Sequence, residues 1–102
     1  MAKQVIWSLA AQKDRKNILE YWIIHNGSNS YSIKLDKLFR YSIELISRFP
    51  LIGRKIDMPN IRAKVVRNYV IVYEIKESHI NILTLWDSRQ NPIKLKKILT
   101  HK

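Results

Sequence analysis

The side chains best suited to chemistry lie where an apolar segment ends, in the stretch ILTLWDSRQNP at residues 82–92. Its apolar residues lead directly into Asp87 and Arg89, which carry opposite charges. An arginine can bind a phosphate or carboxylate through two parallel hydrogen bonds, and a nearby carboxylate can orient it or accept a proton. The pattern predicts a strand that presents a charged corner. An ordinary surface ion pair between the same two residues is the alternative, and it predicts no function.

Further basic side chains accompany aromatic ones in the second half of the chain. The basic members are Arg54, Lys55, Arg62, Lys64, Arg67 and Arg89, and the aromatic members are Tyr69, Tyr73 and Trp86. Guanidinium groups bind phosphates and aromatic rings stack on bases, so this combination predicts a surface for nucleic acid or another target. The alternative interpretation places the two tyrosines in the core and packs Trp86 on the C-terminal segment.

Most forms of catalysis lack suitable residues in this sequence. Gly27 and Gly53 are the only glycines, so a glycine-rich phosphate loop is excluded, and the chain contains no cysteine. The three histidines have no spacing typical of a metal site, and no serine lies in a nucleophile motif. The eight acidic residues are scattered and suggest no glycosidase pair. We therefore expect neither a metal nor a cofactor.

The charge balance indicates the class of partner. The 102 residues include 19 Lys and Arg against 8 Asp and Glu, which gives a net charge of +11. Such a protein attracts polyanions, namely nucleic acid, an acidic protein segment or anionic lipid, unless the charge serves only solubility. The chain lacks cysteine and any apolar stretch of about 20 residues, which favours a cytoplasmic protein without a membrane partner.

The hydrophobic pattern predicts a single α+β domain over residues 1–102. A strand is predicted at residues 3–8, helices at 9–25 and 29–49, and strands at 62–66, 69–76 and 80–86. Pro50 ends the second helix, and the short links between the last three strands predict an antiparallel meander. The expected architecture is two N-terminal helices packed on one face of a small, mainly antiparallel four-stranded sheet. A short basic C-terminal helix or tail is expected to follow.

The predicted meander determines which side chains meet. In an antiparallel pair the end of the last strand lies beside the start of the preceding strand, next to the turn at residues 67–68. The residues expected at this edge of the sheet are Arg67, Asn68, Asp87, Ser88 and Arg89. His79 belongs to the opposite turn, roughly 20 Å away at about 3.3 Å per residue.

Three segments together resemble the toxins of the RelE/ParE superfamily. These are small basic toxins of type II toxin–antitoxin modules and include plasmid stabilisation proteins. The segments are ELISRFPLIGRKI (44–56), RAKVVRNYVIVYEI (62–75) and INILTLWDSRQNP (80–92). The shared features are a helix ending in Leu-x-x-x-x-Pro-x-x-Gly-Arg (Leu45 to Arg54), a strand ending in Ile-Val-Tyr (71–73), and a final turn bearing Arg89. The first helix, in WSLAAQKDRKNILEYW, is also similar, and the likeness covers residues 5–92.

The resemblance implies a toxin that inhibits growth in one of two ways. RelE-like members cut mRNA in the ribosome, whereas ParE-like members inhibit DNA gyrase and need no catalytic residues. For a nuclease, the resemblance implies that Arg62, Lys64 and Arg89 stabilise the phosphorane charge. Asp87 is the only nearby candidate for the base, and no good acid is evident.

The match to the nuclease pattern is partial. Val70 stands where RelE-like nucleases place an arginine, no tyrosine follows Arg89, and the next histidine is His101. These departures favour a ParE-like toxin, which acts by binding a DNA topoisomerase and is not itself an enzyme. A RelE-like endoribonuclease and an inactive or regulatory binding module are the two alternatives.

The resemblance also implies a cognate antitoxin. Because the toxin is strongly basic, we expect an acidic, partly disordered antitoxin segment that folds on binding and forms a toxin–antitoxin hetero-oligomer. The residues expected to bind the target, whether gyrase or the ribosome and its mRNA, are Arg54, Arg62, Lys64, Arg67, Trp86 and Arg89. Within this set, Arg67 and Arg89 form the expected contact corner, and Asp87 orients Arg89.

Overall fold

The computed structural model describes residues 2–89, which begin with a strand and two helices. Helix α1 spans Leu9–Asn26, and helix α2 spans Ser30–Arg48. Ser8 caps α1 because its hydroxyl accepts a hydrogen bond from the Ala11 amide at 3.0 Å. Gly27 ends α1 in the left-handed conformation, with φ of 66°. Both helices agree with the sequence prediction to within a residue or two.

The strands form one five-stranded sheet. They are β1 (Gln4–Trp7), β2 (Arg54–Lys55), β3 (Ile61–Val66), β4 (Tyr69–Ile75) and β5 (His79–Asp87). Their order is β1-β5-β4-β3-β2, with β1 parallel to β5 and every other pair antiparallel. The α+β class, the two N-terminal helices and the meander of β3, β4 and β5 are therefore confirmed.

The expected count of four strands was wrong because β2 was missed. This strand has two exposed basic residues, so it shows no alternation of apolar and polar side chains. It exists through pairing, since Arg54 lies opposite Ala63 and Lys55 lies opposite Arg62. A strand this short is specified by its neighbour and by the turn that precedes it rather than by its own sequence.

The main core lies between the two helices and one face of the sheet. Leu35, Phe39 and Ile46 of α2 are fully buried there. The sheet contributes buried residues from β3, β4 and β5, namely Val66, Tyr69, Ile71, Tyr73, Ile80, Ile82 and Leu85. Tyr69 and Tyr73 are thus core residues, which was the alternative interpretation of their sequence positions. A smaller cluster around Ile61 and Val72 occupies the other face.

Three side-chain contacts fix the helices on this core. Arg15 donates two hydrogen bonds to the Asp36 carboxylate, at 2.8 and 2.9 Å, and so joins α1 to α2. Near the other end of α1, the Trp22 indole N–H donates to the Tyr69 hydroxyl at 2.8 Å. This bond connects α1 to the first residue of β4, next to the sheet end where the predicted corner lies.

Within residues 2–89, neither helix is long and apolar enough to cross a membrane. The predicted C-terminal helix or tail lies outside the described residues.

Candidate functional site

The candidate site is a corner at one end of the sheet, which begins at the turn between β3 and β4. Arg67 and Asn68 form this two-residue turn, because Val66 pairs directly with Tyr69. Arg67 has a φ of 59°, in the left-handed region where residues other than glycine are uncommon. Tight hairpin turns require such a backbone, and glycine usually supplies it. Here a long cationic side chain occupies the position instead.

Ser88 connects this turn to the end of β5. Its backbone N–H and its hydroxyl both donate to the carbonyl oxygen of Asn68, each at 2.8 Å. One residue earlier, Asp87 pairs with Tyr69 in the β4–β5 ladder. The prediction that residues 67–68 and 87–89 meet at one sheet end is therefore confirmed. His79 begins β5 and so lies at the opposite end of that strand, as expected.

Asp87 and Arg89 form a closed pair at this corner. The Arg89 Nε and Nη2 atoms donate to the two carboxylate oxygens at 2.9 and 2.8 Å, and the Arg89 amide donates to Oδ1 at 2.9 Å. The hydrogen bond from Arg89 lowers the pKa of Asp87 below its ordinary value, and the same contact raises the pKa of Arg89. The Arg89 side chain remains 54% exposed, so it can still contact a partner.

A cleft of about 680 Å³ lies between α1 and this end of β5. Its walls include Asn17 and Tyr21 from α1 and Tyr69, Trp86 and Arg89 from the strand end. Burial raises the pKa of the Tyr69 phenol, whose oxygen already accepts the Trp22 hydrogen bond. The cleft is thus a mixed aromatic and polar surface beside the exposed guanidinium group.

Asp14 is a cleft residue that the sequence analysis missed. Its Oδ2 atom accepts hydrogen bonds from the Thr84 hydroxyl at 2.7 Å and the Leu85 amide at 3.2 Å. The sequence did contain a signal for this residue, because Asp14 lies between Ala11 and Ile18 on the inward-facing stripe of α1. A carboxylate on such a stripe requires polar partners, and here β5 provides them.

The predicted target-binding residues divide into two groups. Arg67, Trp86 and Arg89 lie at the corner, and Trp86 is buried there with 8% of its surface exposed. Arg54 is exposed on β2 at the far edge of the sheet. The structure therefore does not bring all six residues together.

Arg62 and Lys64 lie on β3, which β4 separates from β5. One Arg62 nitrogen donates to the Gly53 carbonyl at 2.8 Å and to the Leu51 carbonyl at 3.3 Å. Lys64 lies opposite Ile71, a residue of the main core, and is half-buried. Neighbouring strands are about 4.8 Å apart, so these two residues are roughly 10 Å from β5 across the sheet.

This arrangement is better suited to binding than to proton transfer. Asp87 is held in its charged form by Arg89, which makes it a weak base. Asp14 already accepts two hydrogen bonds from β5. Among residues 2–89, no group of three or more His, Cys, Asp or Glu side chains could hold a metal ion. The corner presents two exposed cationic side chains, Arg67 and Arg89, and Arg89 lies beside the cleft.

The family model of the ParE toxin of type II toxin–antitoxin systems, parDE, matches residues 5–92. The chain belongs to the ParE toxin family. This ParE-family match covers most of the chain and includes every described element except Gln4, the first residue of β1. A search of curated protein sequences finds no match.

Solved structures that share the fold include two toxin–antitoxin systems. The chromosomal ParDE toxin–antitoxin system of P. aeruginosa matches with a TM-score of 0.74 and 16% identity, over 84% of this chain and 96% of that one. The RelBE2 toxin–antitoxin complex of Mycobacterium tuberculosis matches with a TM-score of 0.62 and 14% identity, over 85% and 99% of the two chains. At such low identity, these likenesses establish the RelE/ParE fold of this ParE-family chain and nothing finer.

Proposed function

We propose that this protein is the toxin of a type II toxin–antitoxin module and that it stops growth by binding DNA gyrase in the cytoplasm. Membership of the ParE family supports this assignment. The observation that carries the choice of mechanism is the closed Asp87–Arg89 pair. A nuclease needs one group to remove a proton and another to return it, whereas this corner offers a charged carboxylate already bound to a guanidinium group.

The contact surface of the toxin, in this proposal, is the corner formed by Arg67 and Arg89. Arg89 is held in one orientation by Asp87, so little side-chain entropy is lost when a partner binds it. Arg67 occupies an unfavourable backbone conformation, which is often a sign that a side chain is needed for function. The cleft beside Arg89 offers the partner further polar and aromatic contacts.

The proposed neutralising partner is an antitoxin with an acidic, partly disordered segment. The two solved structures named above are toxin–antitoxin systems or complexes, which supports a partner of this kind. The net charge of +11 favours an acidic segment, because the electrostatic attraction accelerates association and adds specificity. We expect the reading frame next to this one to encode the antitoxin.

Induction of the protein in growing cells tests the mechanism. A gyrase-directed toxin should trap gyrase–DNA complexes and induce the DNA-damage response while transcripts remain intact. Rapid arrest of translation with cut transcripts would instead support the RelE-like alternative. Co-expression of the neighbouring reading frame should restore growth and co-purify as a complex. Absence of both effects would contradict the assignment as a toxin–antitoxin module.

A further inference from the structure

The turn at residues 49–53, which joins α2 to β2, has a backbone held by side chains from β3 and β4. The Tyr73 hydroxyl donates to the Pro50 carbonyl at 2.7 Å and accepts from the Gly53 amide at 2.9 Å. Arg62 adds hydrogen bonds to two further carbonyl oxygens of the same turn. Tyr73 is itself fully buried, so its position is determined by the core. Four side-chain hydrogen bonds therefore restrain the backbone of the turn.

Gly53 is required here because a side chain would not fit, and not because of its backbone angles. A Cβ atom added at Gly53 would lie 2.5 Å from the Tyr73 hydroxyl oxygen, a distance that real Cβ atoms essentially never show. The Pro-x-x-Gly part of the motif at residues 50–53 is thus explained by Tyr73. The gyrase-binding proposal gives this motif no role.

The apolar side chains of this rigid turn point outwards. Phe49 is 59% exposed, Leu51 is 70% exposed and Ile52 is 45% exposed. Single exposed apolar residues are common on protein surfaces, but several on one short segment form a patch, and such patches mark interaction sites. A turn that served only to connect α2 with β2 would gain stability by folding these side chains inwards. Its hydrogen bonds instead hold the backbone and leave the side chains free.

Basic residues border the apolar patch. Arg54 and Lys55 follow the turn directly, both are exposed, and neither forms an ion pair with another of residues 2–89. Arg48 precedes the turn and pairs with Glu44 at 3.0 Å. A rigid apolar centre with a cationic rim complements a partner segment that carries apolar side chains among acidic ones.

We propose that the 49–53 turn is a docking surface for the acidic antitoxin segment, separate from the corner at Arg67 and Arg89. This inference rests on the proposed toxin–antitoxin function and adds the surface on which the antitoxin is held. Rigidity favours such a role because a preformed surface loses little entropy on binding, while a disordered partner pays its own ordering cost. The toxin could then be captured through the turn while its corner is covered by other parts of the antitoxin.

The test compares Leu51→Glu with Ile24→Glu in the full chain. Ile24 is 82% exposed on α1, so both variants place the same charge on an exposed aliphatic position. The probe is the purified protein encoded by the neighbouring reading frame, and its dissociation constant is measured by titration calorimetry. We expect Leu51→Glu to weaken binding by about 100-fold, as truncating a central interface residue does, and Ile24→Glu to stay within about threefold of wild type. Both variants should melt within a few degrees of wild type, because both side chains are exposed.

A growth assay separates this inference from the proposed function. Leu51→Glu should still kill cells, and co-expressed antitoxin should no longer rescue them. Wild-type affinity for the antitoxin in Leu51→Glu would overturn the docking surface and leave the toxin–antitoxin assignment intact. Loss of killing with unchanged antitoxin binding would assign the turn to the target and also overturn the inference. Failure of the wild-type chain to bind the neighbouring protein would overturn both proposals.

Discussion

Different interactions hold the corner at residues 67–68 and 87–89 and the turn at residues 49–53. At the corner, charged side chains fix one another, and the hairpin and β5 are joined through Ser88. At the turn, the backbone is fixed from below by Tyr73, and apolar side chains are left outside. The corner therefore depends on electrostatics and on an unfavourable φ angle, whereas the turn depends on steric fit. Substitutions should distinguish these two dependences.

The largest expected effect concerns the apolar base of the corner. Trp86 is buried directly before Asp87, with 8% of its surface exposed. Trp86→Ala should destabilise the protein by about 3 kcal/mol or more, because a large core side chain is lost and a cavity remains. Urea unfolding followed by circular dichroism measures this change. A loss below about 1 kcal/mol would mean that the corner does not rest on this side chain.

Tyr73→Phe should have the next largest effect on stability, and it should act on the turn at residues 49–53. The substitution keeps the ring but removes the hydroxyl that bonds to Pro50 and Gly53. The carbonyl and amide left without a partner should cost about 2 kcal/mol of unfolding free energy. Tyr69→Phe is the matched control, since its hydroxyl bonds to Trp22 and not to the turn. We expect Tyr73→Phe, but not Tyr69→Phe, to weaken antitoxin binding; equal binding losses would break the distinction between the two regions.

Arg67→Gly should raise the stability of the protein, whereas the two preceding substitutions should lower it. Glycine removes the strain of a side chain at φ of 59°, so the variant should be more stable by about 1 kcal/mol. Asn60→Gly provides the control, because Asn60 has a similar φ of 63° in the loop before β3. Both variants should gain stability in thermal unfolding, and only Arg67→Gly should lose toxicity. Full toxicity of Arg67→Gly would show that the strained Arg67 is not needed for toxicity.

The smallest expected effect is a dependence on acid pH. Asp87 has a pKa below its ordinary value in the folded protein, so its pair with Arg89 contributes stability above the unfolded value of about 3.8. This contribution should disappear as pH falls from about 4 through the lowered pKa. Chemical unfolding at several pH values should show a shallower acid loss in Arg89→Ala than in wild type. Identical profiles would contradict the electrostatic account of the pair.

The parts of the fold that follow a periodic pattern were predictable. Apolar spacing identified both helices and the meander, and short links placed residues 67–68 beside residues 87–89. Strand β2 was not predictable, because Arg54 and Lys55 carry no pattern and depend on pairing with β3. The same limit applies to the site. Sequence spacing predicted the Asp87–Arg89 corner, whereas the Arg62 bonds to the turn depend on a pairing register that the sequence alone does not fix.

Two features of the site were hidden for a different reason. The role of Gly53 depends on a tyrosine 20 positions later in the chain, and that of Asp14 depends on Thr84 and Leu85 at a separation of about 70 positions. Neither pair shares a local pattern, because each contact forms only when helix and sheet pack together. Local periodicity therefore predicts elements well and predicts long-range polar contacts poorly.

The central claim, that the corner binds gyrase, is tested most directly by a supercoiling assay with purified gyrase. The comparison is between wild type, Arg89→Ala and Arg40→Ala. Arg40 is a matched control, because it is 73% exposed and also pairs with an aspartate, Asp36, at 3.1 Å. We expect wild type and Arg40→Ala to inhibit supercoiling, and folded Arg89→Ala to require at least about 30-fold more protein for the same inhibition. Equal inhibition by Arg89→Ala and wild type, or no inhibition by the wild-type chain, would contradict the account.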